Sequence, residues 1–560
     1  MGTPLVMTVK SLDIRILKGS EVLDKISNQV FIDNWDHLFN SCPWATIYQS
    51  SKFVSLWYHA YHHKFEPLLV LGEENECLVG LIPMCVDRDG GILAAGLSQA
   101  EYQTWISTGQ KNNEFISKSI LSLKNQFPSS KISFKYLPGN TPLGWCKNNS
   151  LWRKQSWIRT HKHPLMKIDE KDLEKELRKK NKREKINRLK RLGDLKMERI
   201  SNYREFEEMY DELASQNDFR KGAVYDAVYF HKNKTAKKFL LSLFKNGLLH
   251  VSVLKLNQQI IAANVGTMGK NCVHLQGMNT HSPIHSKYSP GILHFLMLGL
   301  MLREEGVAFF DLTPGKDPYK DMLANEYGEA YSLEFRDPGP IQLMKVKYYI
   351  SQKARTSLIR CGFHAFKQRA AKKQLAILKE KIGLMRRTGL STLIREKLSA
   401  LTAIKPPTVF EVSSYSMLQT PSSYTVEVDS YRDMLDFDPT GSVVTRWEFL
   451  DDALYKMEAG LQPYTMSDGN LLMFCIWREK RFPPVAVASN ATSVTPALFT
   501  DLYVHVTAKN MIDDFLQKVL TLSETGVPDS PPAVIHVKEA RHGRLLEKLG
   551  YKKIEWTHVL

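Results

Sequence analysis

Residues 288–320 read YSPGILHFLMLGLMLREEGVAFFDLTPGKDPYK, and this stretch decides the fold. Ser289 stands where a helix takes its N-cap, Pro290 where it takes its first residue, and Gly306 where it stops. The helix between them is apolar on nearly every face, so we expect it to be buried against a sheet. The following segment, VAFFDL at 307–312, is typical of a buried strand and completes a strand–helix–strand unit with a short crossover.

The start of this helix predicts a place for phosphate groups. The preceding segment, NQQIIAANVGTMGKNCVHLQGMNT at 257–280, is typical of two strands joined by a turn at Gly269-Lys270. In that order the helix N-terminus lies at the carboxyl edge of the sheet, where free backbone N–H groups and the positive end of the helix dipole collect. Gly291 lets a ligand approach the backbone closely. A pyrophosphate fits such an edge, and a capped core helix that binds nothing shows the same pattern.

Composition narrows the class of protein. The chain has 560 residues, of which 43% are hydrophobic and 24% charged, and this length predicts about three domains of ordinary size. A net charge of +17 favours phosphate-rich partners such as nucleotides, nucleic acid or an anionic membrane surface. Seven irregularly spaced cysteines indicate reduced thiols and a cytoplasmic protein. The longest apolar run, 292–302, is shorter than the roughly 18–20 residues that span a bilayer.

The chain changes character along its length. Strand-like and helical runs alternate through the first 160 residues, and a highly charged helical run at 170–196 ends near Gly193. A second set of helices and strands follows. Residues 346–404 contain many Lys and Arg and only two acidic residues, with Leu and Ile at helical spacing, which predicts a linker of basic amphipathic helices. The Pro-Pro pair within 405–408 ends it and begins a last domain.

The order Ser-Pro-Gly, apolar helix, strand ending in Asp311, Gly315 and Tyr319-Lys320 resembles the CelD-like acetyltransferases. These are GNAT-fold proteins associated with the synthesis of bacterial cellulose and other exopolysaccharides. The resemblance covers roughly residues 31–349. It includes TIYQSSKFVSLWYHAYHHKFEPLLVLGEENECLVGLIPM at 46–84, the basic helix, and Glu101-Tyr102, where the family commonly has Asp-Tyr.

The resemblance implies a fold of the α+β or α/β class: tandem GNAT domains whose mixed central sheets are flanked by helices, as in the Fem aminoacyltransferases. The expected parts are an N-terminal GNAT-like half at 1–160, a catalytic half at 161–345, the linker at 346–404 and a C-terminal domain at 405–560. The catalytic half binds acyl-CoA as a substrate. Ser289, Pro290 and Gly291 open its pyrophosphate-binding helix, and Gly266 belongs to the same cofactor site.

Amide formation from a thioester requires an amine that loses a proton, a thiolate that leaves, and an in-line arrangement of the two. Asp311 ends a buried strand at the expected site, and it is the first choice for a base or orienting group. A cap for the turn TPGKDP at 313–318 is the alternative. If Asp311 takes part in catalysis, its substitution should affect turnover more than stability.

Five further residues have a functional and a structural interpretation each. Lys320 is a phosphate ligand or a solvated turn residue, and Tyr319 is a proton donor or a core residue. Tyr288, beside the cap, is a proton donor or a wall of the cofactor site. His274 and Asn279 contact substrate, or are a core histidine and a turn residue. RTHKHP at 159–164 is interpreted as a loop without a role.

His281 and His285 lack a third ligand at a familiar spacing, so we expect no metal. In the C-terminal domain, LLEKLGYKKIEW at 545–556 resembles the end of a GNAT fold, but no glycine-rich loop precedes it. Asp513-Asp514 would repel phosphate at the start of the neighbouring helix. We therefore expect a degenerate GNAT-like domain that serves as a scaffold or binds the acceptor.

These interpretations converge on an acyl-CoA-dependent acyltransferase of the GNAT type, without a metal. It would transfer acetyl or a longer acyl group to an amine or hydroxyl of a polysaccharide precursor, glycolipid or similar envelope-related acceptor. One alternative is a Fem-type aminoacyltransferase that uses charged tRNA, and another is a non-catalytic nucleic-acid-binding protein. We expect a cytoplasmic protein that can lie peripherally on the inner face of the membrane through the basic helices 346–404.

Overall fold

The computed structural model describes residues 12–360, 365–388, 408–412, 423–440, 444–479, 497–523, 533–537 and 540–554. They form two compact units, each with its own sheet. The larger unit comprises Met1–Tyr210, Asn233–Asn279 and Ser289–Gly362, and the smaller unit comprises Asp211–Lys232, Thr280–Tyr288 and Phe363–Leu560. The parts of the predicted linker at 361–364 and 389–404 lie outside the described residues.

The strands of the larger unit are β1 (Asp13–Lys18), β2 (Glu66–Glu74), β3 (Cys77–Val86), β4 (Ile92–Ala94), β5 (Ile106–Ser107), β6 (Ile132–Pro138), β7 (Ser156–Lys167), β8 (Leu195–Ile200), β9 (Leu249–Leu256), β10 (Gln259–Met268), β11 (Cys272–His281), β12 (Phe309–Asp311) and β13 (Glu326–Phe335). Those of the smaller unit are β14 (Thr408–Val412), β15 (Val426–Val428), β16 (Gln462–Ser467), β17 (Leu472–Arg478), β18 (Ala497–Val504), β19 (Ala533–Val537) and β20 (Lys552–Ile554).

The first helices are α1 (Ser20–Ile26), α2 (Gln29–Ser41), α3 (Ser51–Tyr61), α4 (Asn112–Gln126), α5 (Gly144–Lys147), α6 (Ser150–Gln155), α7 (Glu170–Arg178), α8 (Lys180–Leu192) and α9 (Tyr203–Tyr225). They are followed by α10 (Lys234–Lys245), α11 (Pro290–Glu304), α12 (Pro318–Leu323), α13 (Pro338–Arg360), α14 (Ala365–Thr388), α15 (Tyr431–Leu435), α16 (Arg446–Glu458), α17 (Ile512–Leu522) and α18 (Ala540–Lys548). None of the helices in these ranges is both long and apolar enough to cross a membrane.

The sheet of the larger unit joins both halves of the predicted tandem. Its order is β1-β2-β3-β4-β6-β13-β7-β12-β11-β10-β9-β8, and β5 pairs with β3. Two neighbouring pairs are parallel, β4 with β6 and β11 with β12. The strand β7 pairs with both β13 and β12, so the boundary expected at 160/161 falls inside a strand.

The predicted strand–helix–strand unit is confirmed as β11, α11 and β12. Residues 272–274 of β11 pair in parallel with 309–311 of β12, after which β12 ends and β11 continues to His281. Helix α11 is largely buried, as its apolar faces predict, with Leu298 and Leu302 completely inaccessible. Gly306 has a φ of 75°, which terminates the helix as expected.

The charged run at 170–196 forms two helices rather than one. Lys179 has an extended ψ of 136° between α7 and α8, and Leu173 and Leu189 are the residues that each helix buries. The predicted linker also begins earlier than expected, because Pro338 takes the first position of α13. Helix α13 belongs to the larger unit and α14 to the smaller one.

The smaller unit contains a sheet of order β15-β16-β17-β18-β19-β14-β20, in which β18 and β19 are parallel. Helix α17 lies between them in sequence and packs Phe515 against Phe474 with ring centroids 4.8 Å apart. Asp514 forms an ion pair with Lys518 at 2.9 Å, and Asp513 accepts a hydrogen bond from the hydroxyl of Tyr551 at 2.8 Å. Each of the two carboxylates therefore has a partner within the smaller unit, and the expected repulsion of phosphate at this helix start stays a prediction.

Candidate active site

Three neighbouring strands bring a carboxylate and two imidazoles together. Asp311, at the end of β12, is 2% exposed. Its Oδ2 lies 2.7 Å from Nδ1 of His274 on β11, and its Oδ1 lies 2.7 Å from Nε2 of His163 on β7. The backbone N–H of Thr313 also donates to Oδ1, at 2.7 Å. We call His163, Asp311 and His274 the central network.

Strand register explains why these residues meet. Strand β12 lies between β11 and β7, and Asp311 pairs directly with His274 on one side and with Leu165 on the other. His163 is two residues from Leu165, so it projects from the same face of the sheet. Each histidine can therefore reach a different oxygen of one carboxylate.

Two tyrosines enclose the central network. The hydroxyl of Tyr102 lies 2.7 Å from Nε2 of His163. The ring of Tyr48 lies 5.4 Å from the ring of His274, and both tyrosines are almost completely buried. Burial raises the pKa of Tyr102 well above its usual value, and the carboxylate of Asp311 raises it further, so this phenol keeps its proton at neutral pH.

The charges of the network depend on one another. Burial alone would raise the pKa of Asp311, but hydrogen bonds from His163 and His274 overcome it and hold that pKa far below the usual range. Burial alone would lower the pKa of His274, but the neighbouring Cys272 and Asp311 raise it to about 10. The favoured state at neutral pH is thus a buried imidazolium beside a carboxylate.

A buried lysine supports the loop that follows Asp311. Nζ of Lys320 donates to the carbonyl and the hydroxyl of Thr313, at 3.1 and 3.0 Å. Burial lowers the pKa of Lys320, although the carboxylate of Glu101 opposes this. A β-carbon on Gly315 would lie 2.9 Å from Nζ, so a glycine leaves room for the lysine. The structural alternative for Lys320, a solvated turn residue, is wrong because the side chain is buried.

The predicted phosphate-binding helix start has an unexpected cation. Pro290 is the first residue of α11, as predicted, but Ser289 makes no side-chain capping hydrogen bond and has a φ of 54°. Its hydroxyl instead accepts a hydrogen bond from Nζ of Lys185 on α8 at 2.8 Å. An ammonium group therefore lies next to the positive end of the helix dipole, and the two together attract an anion.

The other residues predicted for the site lie outside the central network. Gly266 on β10 packs closely on β11, because a β-carbon there would lie 2.9 Å from the carbonyl oxygen of His274. Tyr319 stacks on Phe295 in the apolar cluster around α11, with centroids 5.9 Å apart. Asn279 is half-buried near the end of β11. Tyr288 ends the short 3-10 helix Pro283–Tyr288 in the smaller unit.

His281 and His285, the two histidines closest to a metal-binding pattern in the sequence, have other partners. His281 lies 2.9 Å from Nη1 of Arg220, and His285 lies 3.1 Å from the hydroxyl of Ser282. Burial and Arg220 lower the pKa of His281 to about 3, which keeps it neutral. Among the described residues no three His, Cys, Asp or Glu side chains are placed to hold a metal ion.

Sequence reasoning missed His163, Lys185 and Cys272. The loop interpretation of 159–164 is wrong, because these residues lie inside the twelve-residue strand β7. The alternation of His161, His163 and Leu165 at every second position was the available signal. No sequence pattern indicated that Lys185 would reach Ser289, 104 residues away.

Part of the chain matches a known protein family. Residues 177–321 match the family described as "Acetyltransferase (GNAT) domain", about a quarter of the chain. No curated protein matches the sequence significantly.

Several solved structures are similar in part. FemX is 10% identical, with a TM-score of 0.40, over 56% of this chain and 98% of that one. The C-terminal domain of a putative lysylphosphatidylglycerol synthetase from Agrobacterium fabrum is 12% identical, with a TM-score of 0.37, over 57% and 95%. L-PGS from Bacillus licheniformis is 12% identical, with a TM-score of 0.34, over 49% and 86%. Likeness at this level carries no argument about chemistry. From the family match and the mixed sheets flanked by helices, the fold is GNAT-like, and residues 177–321 match a GNAT acetyltransferase domain.

Proposed function

We propose that this protein is an acyl-CoA-dependent acyltransferase whose reaction centre is the central network. The observation that carries the proposal is the buried carboxylate bound by two histidines where β12 ends beside β11, with Asp311 and His274 inside the GNAT match. In line with the CelD-like resemblance, the acceptor is an amine or hydroxyl on a polysaccharide precursor, a glycolipid or a similar envelope-related molecule.

The start of α11 would hold the donor. The backbone N–H of Gly291, the helix dipole and the ammonium of Lys185 favour a pyrophosphate at that position. The N–H groups of Ile292 and Leu293, by contrast, already donate to the carbonyl of Ser289. Beyond His274, β11 continues past the end of β12, and the pantetheine arm would lie along this part of the strand. Gly291 and Ser289 are the residues that would lie closest to the phosphates.

Asp311 acts better as an orienting group than as a base. Its two oxygens already accept three hydrogen bonds, and its low pKa makes it a weak proton acceptor. His274, fixed by Asp311, holds a proton at neutral pH that it can donate to a leaving thiolate. Lys320 would fix the loop at Thr313, and Tyr319 would serve as a core residue.

The smaller unit offers a place for a negatively charged acceptor. A cavity of about 400 Å³ at the end of β18 is lined by basic side chains from the following loop and α18: Lys509, His542, Arg544 and Lys548. None of the described residues lining it is acidic. This supports the acceptor-binding role predicted for a degenerate GNAT-like domain and assigns no second reaction centre to it.

Aminoacyl transfer from tRNA is the second candidate. The observation in its favour is the basic helix α8, which brings Lys185 to α11 and carries six further Lys and Arg residues. Because acyl-CoA and charged tRNA both present phosphates, the basic helix is compatible with either donor. A binding experiment that compares the two donors distinguishes them.

Substitution of Gly291 tests the donor site. We expect Gly291→Val to weaken acetyl-CoA binding at least about tenfold in calorimetry, a loss of about 1.4 kcal/mol, because the branched side chain blocks approach to the backbone N–H of residue 291. Gly339 provides a matched control, since Pro338-Gly339 opens α13 as Pro290-Gly291 opens α11, and a β-carbon there meets nothing within 4 Å.

Gly339→Val should bind acetyl-CoA like the wild type. Equal affinity in the Gly291→Val and wild-type proteins would show that the donor site is misplaced. An unchanged melting temperature in both variants would exclude unfolding as the cause of a lost affinity.

A further inference from the structure

The thiol of Cys272 lies next to His274, on the side of the imidazole ring away from Asp311. Sγ of Cys272 lies 3.4 Å from Nε2 of His274, whose Nδ1 lies 2.7 Å from Asp311. Cys272 and His274 are two residues apart on β11, so both project from the same face. A nucleophile, an imidazole and an orienting carboxylate thus stand in a row, the arrangement that activates thiols for acyl transfer.

The sulfur has space beside it. Cys272 is half-buried. A β-carbon on Gly269 would lie 2.6 Å from Sγ and 2.8 Å from Nε2 of His274, so a glycine leaves both atoms uncovered on that side. Burial raises the pKa of two other cysteines, Cys85 and Cys475, to about 12, which keeps those thiols protonated and inert.

We propose that Cys272 is a catalytic nucleophile that takes the acyl group from the donor as a thioester and passes it to the acceptor. This inference rests on the proposed function, because it specifies the route by which the same site transfers an acyl group. It replaces a direct attack of the acceptor on acyl-CoA with two successive attacks at the same carbonyl carbon.

Both half-reactions balance on residues of this chain. In the first, the Cys272 thiolate attacks the acyl carbon, the bond from that carbon to the CoA sulfur breaks, and the CoA sulfur takes the proton from Nε2 of His274. In the second, the acceptor amine attacks the Cys272 thioester and gives its proton to the now neutral His274. The Cys272 thiolate leaves and the starting state is restored. The network supports these transfers because Asp311 fixes the tautomer and orientation of His274.

Trapping the thioester tests the inference. The full-length protein is incubated with acetyl-CoA, quenched in acid and examined by intact mass and peptide mapping. We expect one acetyl group on Cys272, removed by neutral hydroxylamine as a thioester is and as an acetyl-lysine is not. The exposed Cys77 is the internal control, and Cys77→Ala should trap the acetyl group as the wild type does.

Turnover separates this route from the proposed function itself. With hydroxylamine as the acceptor amine, Cys272→Ala should form acetyl-hydroxamate at least about a hundredfold more slowly than the wild type, with unchanged acetyl-CoA affinity. Full turnover in Cys272→Ala together with an unacetylated wild type would overturn the covalent route and leave the acyltransferase intact. Absence of acetyl-CoA binding and consumption by the wild type would overturn both.

Discussion

In the proposed reaction, Asp311 is the residue that holds the other groups of the site in place. It joins β7, β11 and the loop after β12 through three hydrogen bonds, and it sets the charge of His274. A buried carboxylate with such partners is both a structural and an electrostatic element, because removal of its charge leaves an imidazolium without compensation. Turnover and stability are therefore coupled at this position, and both should fall on substitution, whereas the sequence alone predicts a larger effect on turnover than on stability.

Asp311→Asn should reduce turnover by about a hundredfold or more and lower the free energy of unfolding by about 3–5 kcal/mol. The depressed pKa of Asp311 adds stability that is lost as pH falls below its usual value of about 3.9. The raised pKa of His274 adds stability that is present below its usual value of about 6.5 and is lost as pH rises to about 10.

The difference in the free energy of unfolding between the wild type and Asp311→Asn should thus be largest between about pH 4 and 6.5, and smaller at lower and at higher pH. Urea unfolding at several pH values measures it. A variant that unfolds early but retains full specific activity would make Asp311 a structural residue only.

At this scale the sequence predicts residues that end elements better than residues inside them. Asp311 was identifiable because it follows an apolar run and precedes a turn. His163 was not, because its role depends on the register of β7 against β12, strands separated by more than 140 residues. The Gly- and Pro-containing sequence before Lys320 is typical of a turn and suggests an exposed lysine. The side chain is buried in the structure, where Gly315 leaves room for it.

Helix α13 exposes apolar side chains on the side that does not pack on the larger unit. One side packs on the larger unit, with Ile341 buried and the ring of Tyr348 5.2 Å from Trp157. The other side exposes Leu343, Val346 and Ile350 at helical spacing. The helix contains five Lys and Arg residues and no acidic residue. An apolar stripe with basic flanks fits an anionic membrane surface.

Peripheral membrane binding through α13 predicts sedimentation with anionic but not neutral vesicles, lost on raising salt, since each basic residue near the surface contributes about 1 kcal/mol. Ile350→Glu should abolish it, because Ile350 is 60% exposed, the most exposed of the three apolar residues of the stripe. Leu121→Glu, on the 50% exposed Leu121 of α4, is the matched control and should bind normally. Sedimentation unaffected by Ile350→Glu would remove α13 from the interaction.

Element types were largely predictable, and breaks and pairings were not. The start of α3 at a capped Ser50, the three strands β2–β4 and the helix α11 follow from caps, turns and apolar periodicity. The break at Lys179 and the start of α13 at Pro338 depend on packing. The sheet that continues from β6 through β13 to β7 depends on pairing between distant segments, which local periodicity does not encode.

On the scale of the whole molecule, one motif occurs three times among the residues that the structure describes. The parallel pairs β4–β6, β11–β12 and β18–β19 each have a helix between their strands in sequence: α4, α11 and α17. Only the second combines a Pro-Gly helix start, a neighbouring lysine and the histidine–carboxylate network. We therefore propose one donor site among the described residues, and the net charge of +17 is consistent with a phosphate-bearing donor.

The most direct test compares the melting temperature of the full-length protein in the presence of acyl-CoA with its melting temperature in the presence of tRNA. If the donor is acyl-CoA, acetyl-CoA or a longer acyl-CoA at a hundred times its Kd should stabilise the fold by about 2.7 kcal/mol and raise the melting temperature, whereas tRNA should not. A rise with tRNA and none with any acyl-CoA would contradict the account.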